Sequence, residues 1–377
     1  MKAVESRIST ATGAKSEIDA ARFKGIVTMY EGMKPKDAAK VFDRLEMSVL
    51  FEIASQIAPR KMSDWLLRWE TILVGLLIVV IAGNTAISPY FLDIYNLSDA
   101  TYNFSEKAIV ALAMALLIIT REIDLSVAAV IALASLATGL AAESGAPLIV
   151  LLVVGPAVGI VCGAFNGFLV TRIGLPSIVV TIGTMSLYRG LAQVVLGDQV
   201  IKQYPKDYTA IGQSYLINWP PLPYSFVIFL VLAVVFAVVL HKTAFGRKLY
   251  AIGNNPVAAK FSGIPVERIR FLLFVLTGLL AGLAATLLTA RIGSTRPNIA
   301  LGWELEIITM VILGGVSIAG GSGTIPGVVL AVFILGLITF GLSLINVPGI
   351  VISVILGCLL IVSIAGPILV RRLLRGR

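Results

Sequence analysis

Cysteine, histidine and charged residues are scarce in this sequence, and each scarcity excludes a class of protein. The two cysteines, Cys162 and Cys358, both lie within apolar runs, so a disulfide framework is not expected. The single histidine, His241, cannot form a metal site by itself. Only 14% of the 377 residues are charged and 58% are hydrophobic, which is not the composition of a soluble protein. We therefore expect no disulfide framework and no metal centre.

Acidic residues are also outnumbered, with 21 Asp and Glu against 30 Lys and Arg. A net charge of +9 can indicate a nucleic-acid partner, but here the basic residues cluster at the ends of apolar runs. That placement is typical of membrane topology, so no nucleic acid is expected. The chain also lacks a Walker A pattern, and we expect no ATP hydrolysis by that route.

Long apolar runs are plentiful, and they predict an all-α, polytopic membrane protein embedded in a lipid bilayer. The runs predict about ten membrane spans, near 71–88, 104–120, 124–142, 147–171, 176–196, 224–241, 270–290, 303–318, 324–344 and 348–369. Lys and Arg fall mainly before the first span and after the even-numbered ones. By the positive-inside rule, this predicts a multi-pass protein with an even number of spans and both termini in the cytoplasm.

The first part of the chain differs from the rest. Residues 1–63 are polar and charged, with apolar residues at helical spacing, and they predict a small cytoplasmic helical appendage. Residues 64–377 form the predicted transmembrane domain. The appendage is too short to build a good core alone, and it is interpreted either as a partner-binding segment or as an incidental fusion.

A basic stretch, residues 246–270, predicts a short capped helix outside the membrane. Asn255 can be its N-cap and Pro256 suits its first position. Gly263 can adopt the left-handed conformation that ends a helix, and Pro265 prevents the helix from resuming. Small residues, Ala258 and Ala259, lie within it. Such an element is suited to docking into a groove on a soluble partner, although a well-punctuated loop would look similar.

Within the predicted spans, two patterns are candidates for function. The fourth span carries glycines that recur every four residues, a spacing that allows close helix packing: Gly155, Gly159, Gly163 and Gly167. The fifth span carries a polar face that predicts either a transport pathway or helix–helix hydrogen bonds: Thr181, Thr184, Ser186 and Tyr188. Asp124 begins the third span, where it can cap the helix or carry a proton.

Several of these motifs resemble the ribose-type sugar permeases, the membrane subunits of bacterial ATP-driven importers. The family signature Ala-Ala-x-x-x-Gly is present as Ala258, Ala259 and Gly263. The sequence Ile-Asp-Leu-Ser at 123–126 is similar to the family's, although Arg121 and Glu122 stand where glycines are usual. Paired glycines at 314–315 and 320–321 are also typical. The segments 88–93 and 96–100 most resemble rhamnose-type members.

This resemblance implies a type II importer bundle that forms one half of a dimeric pore. It implies a separate ATPase subunit docked on residues 246–270, a periplasmic sugar-binding protein, and a second permease that is identical or different. The implied substrate is a rhamnose-like monosaccharide, moved by alternating access. The resemblance also implies a bacterial inner membrane, no catalytic residues and no cofactor. Residues 30–63 resemble instead the N-domain of magnesium channels and a repeat of a flagellar motility chaperone.

Two other functions remain open on the sequence. An ion-coupled secondary transporter needs ionisable groups in the middle of its spans. The acids noted near spans, Asp124, Glu304 and Glu306, all lie near span ends, which argues against it. A magnesium channel needs a ring of acidic residues along a pore, and the spans offer none.

Overall fold

The computed structural model describes residues 69–359 and residue 361. The predicted appendage, residues 1–63, lies outside these residues, so its structure stays a prediction. Chain contacts divide the protein into two units, Met1–Ile72 and Leu73–Arg377. All packing described below belongs to the second unit.

The described chain is helical apart from one small hairpin, which confirms the predicted all-α polytopic class. Its helices are α1 (Trp69–Ile87), α2 (Ile94–Ile119), α3 (Val127–Glu143), α4 (Leu148–Phe168), α5 (Ser177–Leu196), α6 (Lys206–Gln213), α7 (Tyr224–Lys242), α8 (Ala244–Asn254), α9 (Pro256–Phe261), α10 (Val266–Ile292), α11 (Trp303–Leu313), α12 (Ile325–Leu344) and α13 (Gly349–Leu359). A π-helical turn, Leu169–Ile173, continues α4. Strands β1 (Tyr215–Asn218) and β2 (Pro221–Pro223) pair antiparallel.

Seven of these helices are long and apolar enough to cross a membrane: α1, α2, α4 with its π turn, α5, α7, α10 and α12. Two more, α3 and α13, are apolar but shorter over the described residues. The predicted span at 303–318 is replaced by α11, whose 11 residues rise only about 16 Å, half of a bilayer core. Helix α11 ends at Leu313, and Gly314 is its C-cap. Gly315 then has a φ of 88°, which is incompatible with a continuing right-handed helix.

Helix α2 is the centre of the bundle. It starts at Ile94, ten residues before the predicted span, because the Asp93 side chain accepts hydrogen bonds from the backbone N–H groups of Tyr95 and Asn96. Four other helices pack closely on it: α7, α10, α11 and α12. As a result, 89% of its most apolar window is buried, more than in any other candidate span of the described chain.

Loops gather on two opposite faces of the bundle. On one face, α8, α9, the α2–α3 connection (residues 120–126) and the glycine loop (residues 314–324) contact one another. We call it the basic face, since Arg121, Lys248 and Arg270 lie there. On the other, the Ile201–Thr295 bridge joins the loop 293–302 to the segment before α6, and α6 and the hairpin follow that segment. We call this second side the hairpin face.

Candidate functional site

The capped helix that the sequence predicts is present as α9. The Asn255 side chain accepts a hydrogen bond of 3.0 Å from the backbone N–H of Ala258, and Pro256 occupies the first turn. At the other end Gly263 has a φ of 81°. The backbone N–H of Ile264 reaches back to the carbonyl of Ala259 at 3.0 Å, which completes a Schellman motif. Both ends of this six-residue helix are therefore fixed by local chemistry.

One side of α9 presents bare apolar side chains. Phe261 is 89% exposed and Val257 63% exposed, and Ala258 between them is also exposed. Ala259 differs, because it is 4% exposed and faces the chain's own interior. The outward surface therefore consists of Val257, Ala258 and Phe261, and only one of the two signature alanines belongs to it. We call these three residues the α9 knob.

The segment that follows α9 returns directly to the bundle. Pro265 precedes α10, and Val266 at the start of that helix is buried. Lys260 and Glu267 form an ion pair of 2.6 Å with both side chains largely exposed, so the pair contributes little to stability. The position of α9 is therefore set by its neighbours and not by this pair.

The junction between α8 and α9 is held by an arginine from another part of the chain. The Arg121 guanidinium donates from Nε to the carbonyl of Gly253 at 2.6 Å and from Nη2 to that of Asn254 at 2.8 Å. These are the last carbonyls of α8, which have no partner within the helix and carry its negative dipole end. A positive charge placed there is stabilising.

Three backbones meet at this junction without intervening side chains. The N–H of Gly321, in the glycine loop, donates to the carbonyl of Ile119 at the end of α2, at 2.9 Å. A Cβ atom added to Gly253 would clash with both of these groups, and one added to Gly321 would meet the side chain of Asn254 at 2.7 Å. Glycine at 253 and 321 is therefore required by close approach.

A second arginine joins the same loop to α10. Arg270 donates from Nη2 to the carbonyl of Thr120 at 3.0 Å and pairs through Nη1 with Glu122 at 2.9 Å. Both side chains of the ion pair are mostly buried, at 20% and 10% exposure. The α2–α3 connection is thus tied to the chain on both sides of α9.

The predicted polar face of α5 lies partly inside the bundle. Thr181 and Thr184 are buried, and Thr181 donates to the carbonyl of Ser177 in its own helix at 2.8 Å. Tyr188 is buried and donates to the side-chain oxygen of Asn166 on α4 at 3.2 Å. Ser186 is exposed on the outer side of α5. The four residues therefore do not share one surface.

Asp124 lies at the entry of α3, where the sequence leaves two roles open, helix capping and proton transfer. Its Oδ1 accepts hydrogen bonds from the Ser126 backbone N–H at 2.8 Å and from the Ser126 hydroxyl at 2.6 Å. It is 1% exposed, and burial raises the pKa of its carboxyl, opposed by the hydrogen bonds from Ser126 and Asn166. The geometry is that of a turn-forming acid at a helix start.

The glycine stripe of α4 lies against α10. Cβ atoms added to three of its members would clash with the α10 backbone: Gly155 with Gly282, Gly159 with Gly278, and Gly163 with Phe274. Gly167 is less tight, with its nearest neighbours at 3.1 Å. The small residues let the two helices approach at backbone distance.

Two ion pairs within the bundle were missed on the sequence. Glu106, in the middle of α2, is fully buried and accepts a hydrogen bond from Arg291 Nε at 2.8 Å, while its other oxygen has no partner among the described residues. The next residue, Lys107, donates to Glu306 of α11 and lies 4.8 Å from the centre of the Trp303 ring. The interpretation that acids lie only near span ends is therefore wrong. A Glu-Lys pair inside an apolar run was the available signal.

Taken together, a bundle of apolar helices with a capped, solvent-facing helix on one face defines a multi-pass membrane protein. Residues 96–364 match the family described as branched-chain amino acid transport system / permease component. The chain belongs to this permease family, which confirms the family predicted from residues 64–377.

Named relatives narrow the class further. The autoinducer 2 import system permease protein LsrD of Escherichia coli strain K12 and that of Shigella flexneri are each 35% identical to it over 304 residues. The alignment covers 79% of this chain and 91% of either relative. No solved structure matches the chain.

Proposed function

We propose that this chain is the membrane-spanning permease subunit of an ATP-driven importer and is coupled to a separate ATPase subunit through α9. The observation that carries the proposal is the α9 knob. Apolar side chains as exposed as Phe261 and Val257, on a rigid helix outside the membrane, favour a protein partner with a complementary groove. ATP hydrolysis then belongs to that partner.

The basic face is assigned to the cytoplasm of a bacterial cell, where the ATPase would be. Support comes from charge, because Arg121, Lys242, Arg247, Lys248 and Arg270 gather there and the positive-inside rule holds such residues on that side. The hairpin face then meets the periplasm and a sugar-binding protein. A second permease, identical or different, completes the pore.

The proposed substrate is a small polar molecule of the sugar class. A rhamnose-like monosaccharide follows from the resemblance of residues 88–100 to rhamnose-type permeases. Autoinducer 2 is the competing candidate, because the relatives at 35% identity are named for its import. Competition between labelled rhamnose and unlabelled autoinducer 2 in the same uptake assay distinguishes them.

The ion-coupled alternative has one observation in its favour, which is the buried carboxylate of Glu106 in the middle of α2. However, Glu106 already holds a counter-charge in Arg291, whereas a proton carrier must exchange its proton with water. We therefore assign it to the architecture of the bundle. Uptake that survives ATP depletion and collapses with the proton gradient would reverse this assignment.

The test is reconstitution in liposomes. The chain alone should move no sugar, and the chain with its ATPase and binding protein should show ATP-dependent uptake. Phe261→Ser should weaken capture of the ATPase in detergent by about tenfold or more, since a buried Phe contributes about 1.5–3 kcal/mol. Leu301→Ser is the matched control, because Leu301 is 70% exposed on the hairpin face. Sugar uptake by the chain alone would overturn the proposal.

A further inference from the structure

The end of α2 contains a residue whose backbone conformation is unfavourable for its type. Arg121 has a φ of 70°, in the left-handed region that glycine tolerates best. Its backbone N–H donates to the carbonyl of Ile118, and the backbone N–H of Glu122 donates to the carbonyl of Leu117. These bonds make a Schellman motif in which Arg121 occupies the position usually held by glycine. Glycine would be unstrained at this position, so the presence of arginine suggests that its side chain has a role.

The side chain provides that use by crossing to the α8–α9 junction. Its two hydrogen bonds, to the carbonyls of Gly253 and Asn254, end one residue before the N-cap of α9. A guanidinium that donates twice fixes orientation as well as distance, unlike a single point contact. Arg121 therefore holds the base of α9 in one position relative to the end of α2.

The partner of this contact is the most buried span of the described chain. Helix α2 packs on α7, α10, α11 and α12, so a displacement of its end is passed to the centre of the bundle. The covalent routes from α9 run forward through Gly263 and Pro265 into α10, and back through Asn255 into α8. The Arg121 contact supplies a non-covalent route, which runs from the α8–α9 junction to the end of α2.

We infer that Arg121 is a positioning residue for transport: its guanidinium transmits movement of α9 to α2, so that ATP hydrolysis is converted into opening of the bundle. This inference rests on the proposed function. Arg121 is not part of the α9 knob. Removing its side chain should therefore leave binding of the ATPase intact and reduce only the coupling of ATP hydrolysis to transport.

The experiment compares three variants in liposomes with the ATPase and binding protein. Arg121→Gly removes the guanidinium and at the same time relieves the strain of the positive φ, so lost activity cannot be attributed to backbone strain. Arg121→Lys keeps the charge with one donor group. Arg172→Ala is the control, since Arg172 is an exposed cation at the end of the π turn on the same side of the bundle.

We expect Arg121→Gly to reach the membrane and capture the ATPase at wild-type levels, with basal hydrolysis retained. Sugar moved per ATP hydrolysed should fall by about tenfold, the order expected for losing hydrogen bonds to a charged group. Arg121→Lys should recover part of the ratio, and Arg172→Ala should leave it unchanged.

Two results would overturn the inference. One is wild-type coupling in Arg121→Gly. The other is loss of ATPase capture in that variant, which would make Arg121 part of the docking structure. Failure of the unaltered chain to couple uptake to ATP would refute the proposed function instead, so the two failures are distinguishable.

Discussion

The seam between α4 and α10 offers a prediction whose size can be worked from distances. A Cβ atom on Gly159 would clash with the Gly278 carbonyl oxygen and lie 2.9 Å from its carbon. Carbon atoms in contact are separated by about 3.5–4.0 Å. Gly159→Ala therefore forces the helices about 1 Å apart, or bends them locally.

Such a separation weakens the whole seam and not one contact. A gap of about 1 Å removes up to half of the dispersion attraction between facing atoms, and overpacking of a tight interface typically costs about 1–3 kcal/mol. The higher helix propensity of alanine returns up to about 1 kcal/mol. We expect a net loss of about 1–2 kcal/mol and a fall of several degrees in the apparent melting temperature.

The assay is thermal unfolding of the purified chain in detergent, followed by size-exclusion fluorescence. Gly183→Ala is the matched control, because Gly183 is an exposed helical glycine with no atom within 4 Å of an added Cβ. Its melting temperature should stay level or rise. If Gly159→Ala and Gly183→Ala have the same melting temperature, α4 and α10 are not held at backbone distance and the reasoning fails.

Two further predictions concern the ends of α9 and the buried charges. Gly263→Ala should strain the left-handed C-cap by about 1 kcal/mol without any clash, since no atom lies within 4 Å; ATPase capture should weaken while membrane levels stay normal, and unchanged capture would contradict it. Glu106→Gln leaves Arg291 unpaired in the bundle and should destabilise the protein by about 3 kcal/mol, with partial recovery when Arg291→Gln is added. Lys260→Ala breaks an exposed pair and should change the melting temperature little; equal losses from Glu106→Gln and Lys260→Ala would refute the contrast.

Local chemistry explains which parts of the fold were predictable. Asn255, Pro256 and Gly263 act within one turn of chain, so their order predicts α9 and both of its caps. Long apolar runs likewise predict the spans. The extent of α11 was not predictable in this way, because residues 307–318 contain no charged residue and only Gly314 and Gly315 mark the end of the helix.

Contacts between distant residues account for what the sequence could not reveal. Glu106 and Arg291 are 185 positions apart, and nothing local to either residue indicates the other. The same holds for Arg121, which resembles an ordinary topology-determining cation until α8 is beside it. Ala259 was grouped with Ala258 because both are small and both belong to the family signature, whereas its burial depends on how α9 packs against the bundle.

The glycine junction beneath α9 also has an evolutionary consequence. Gly253 and Gly321 cannot acquire a side chain without separating α2, α8 and the glycine loop, so selection can hold these positions unchanged for mechanical reasons. Val257 and Phe261 are not restricted by this close packing, because their side chains project away from the rest of the chain. Under the proposed coupling to an ATPase, a lineage that changes its ATPase can replace residues of the α9 knob without disturbing the glycines beneath it. Sequence differences among related subunits should therefore concentrate on the α9 knob and be rare at Gly253 and Gly321.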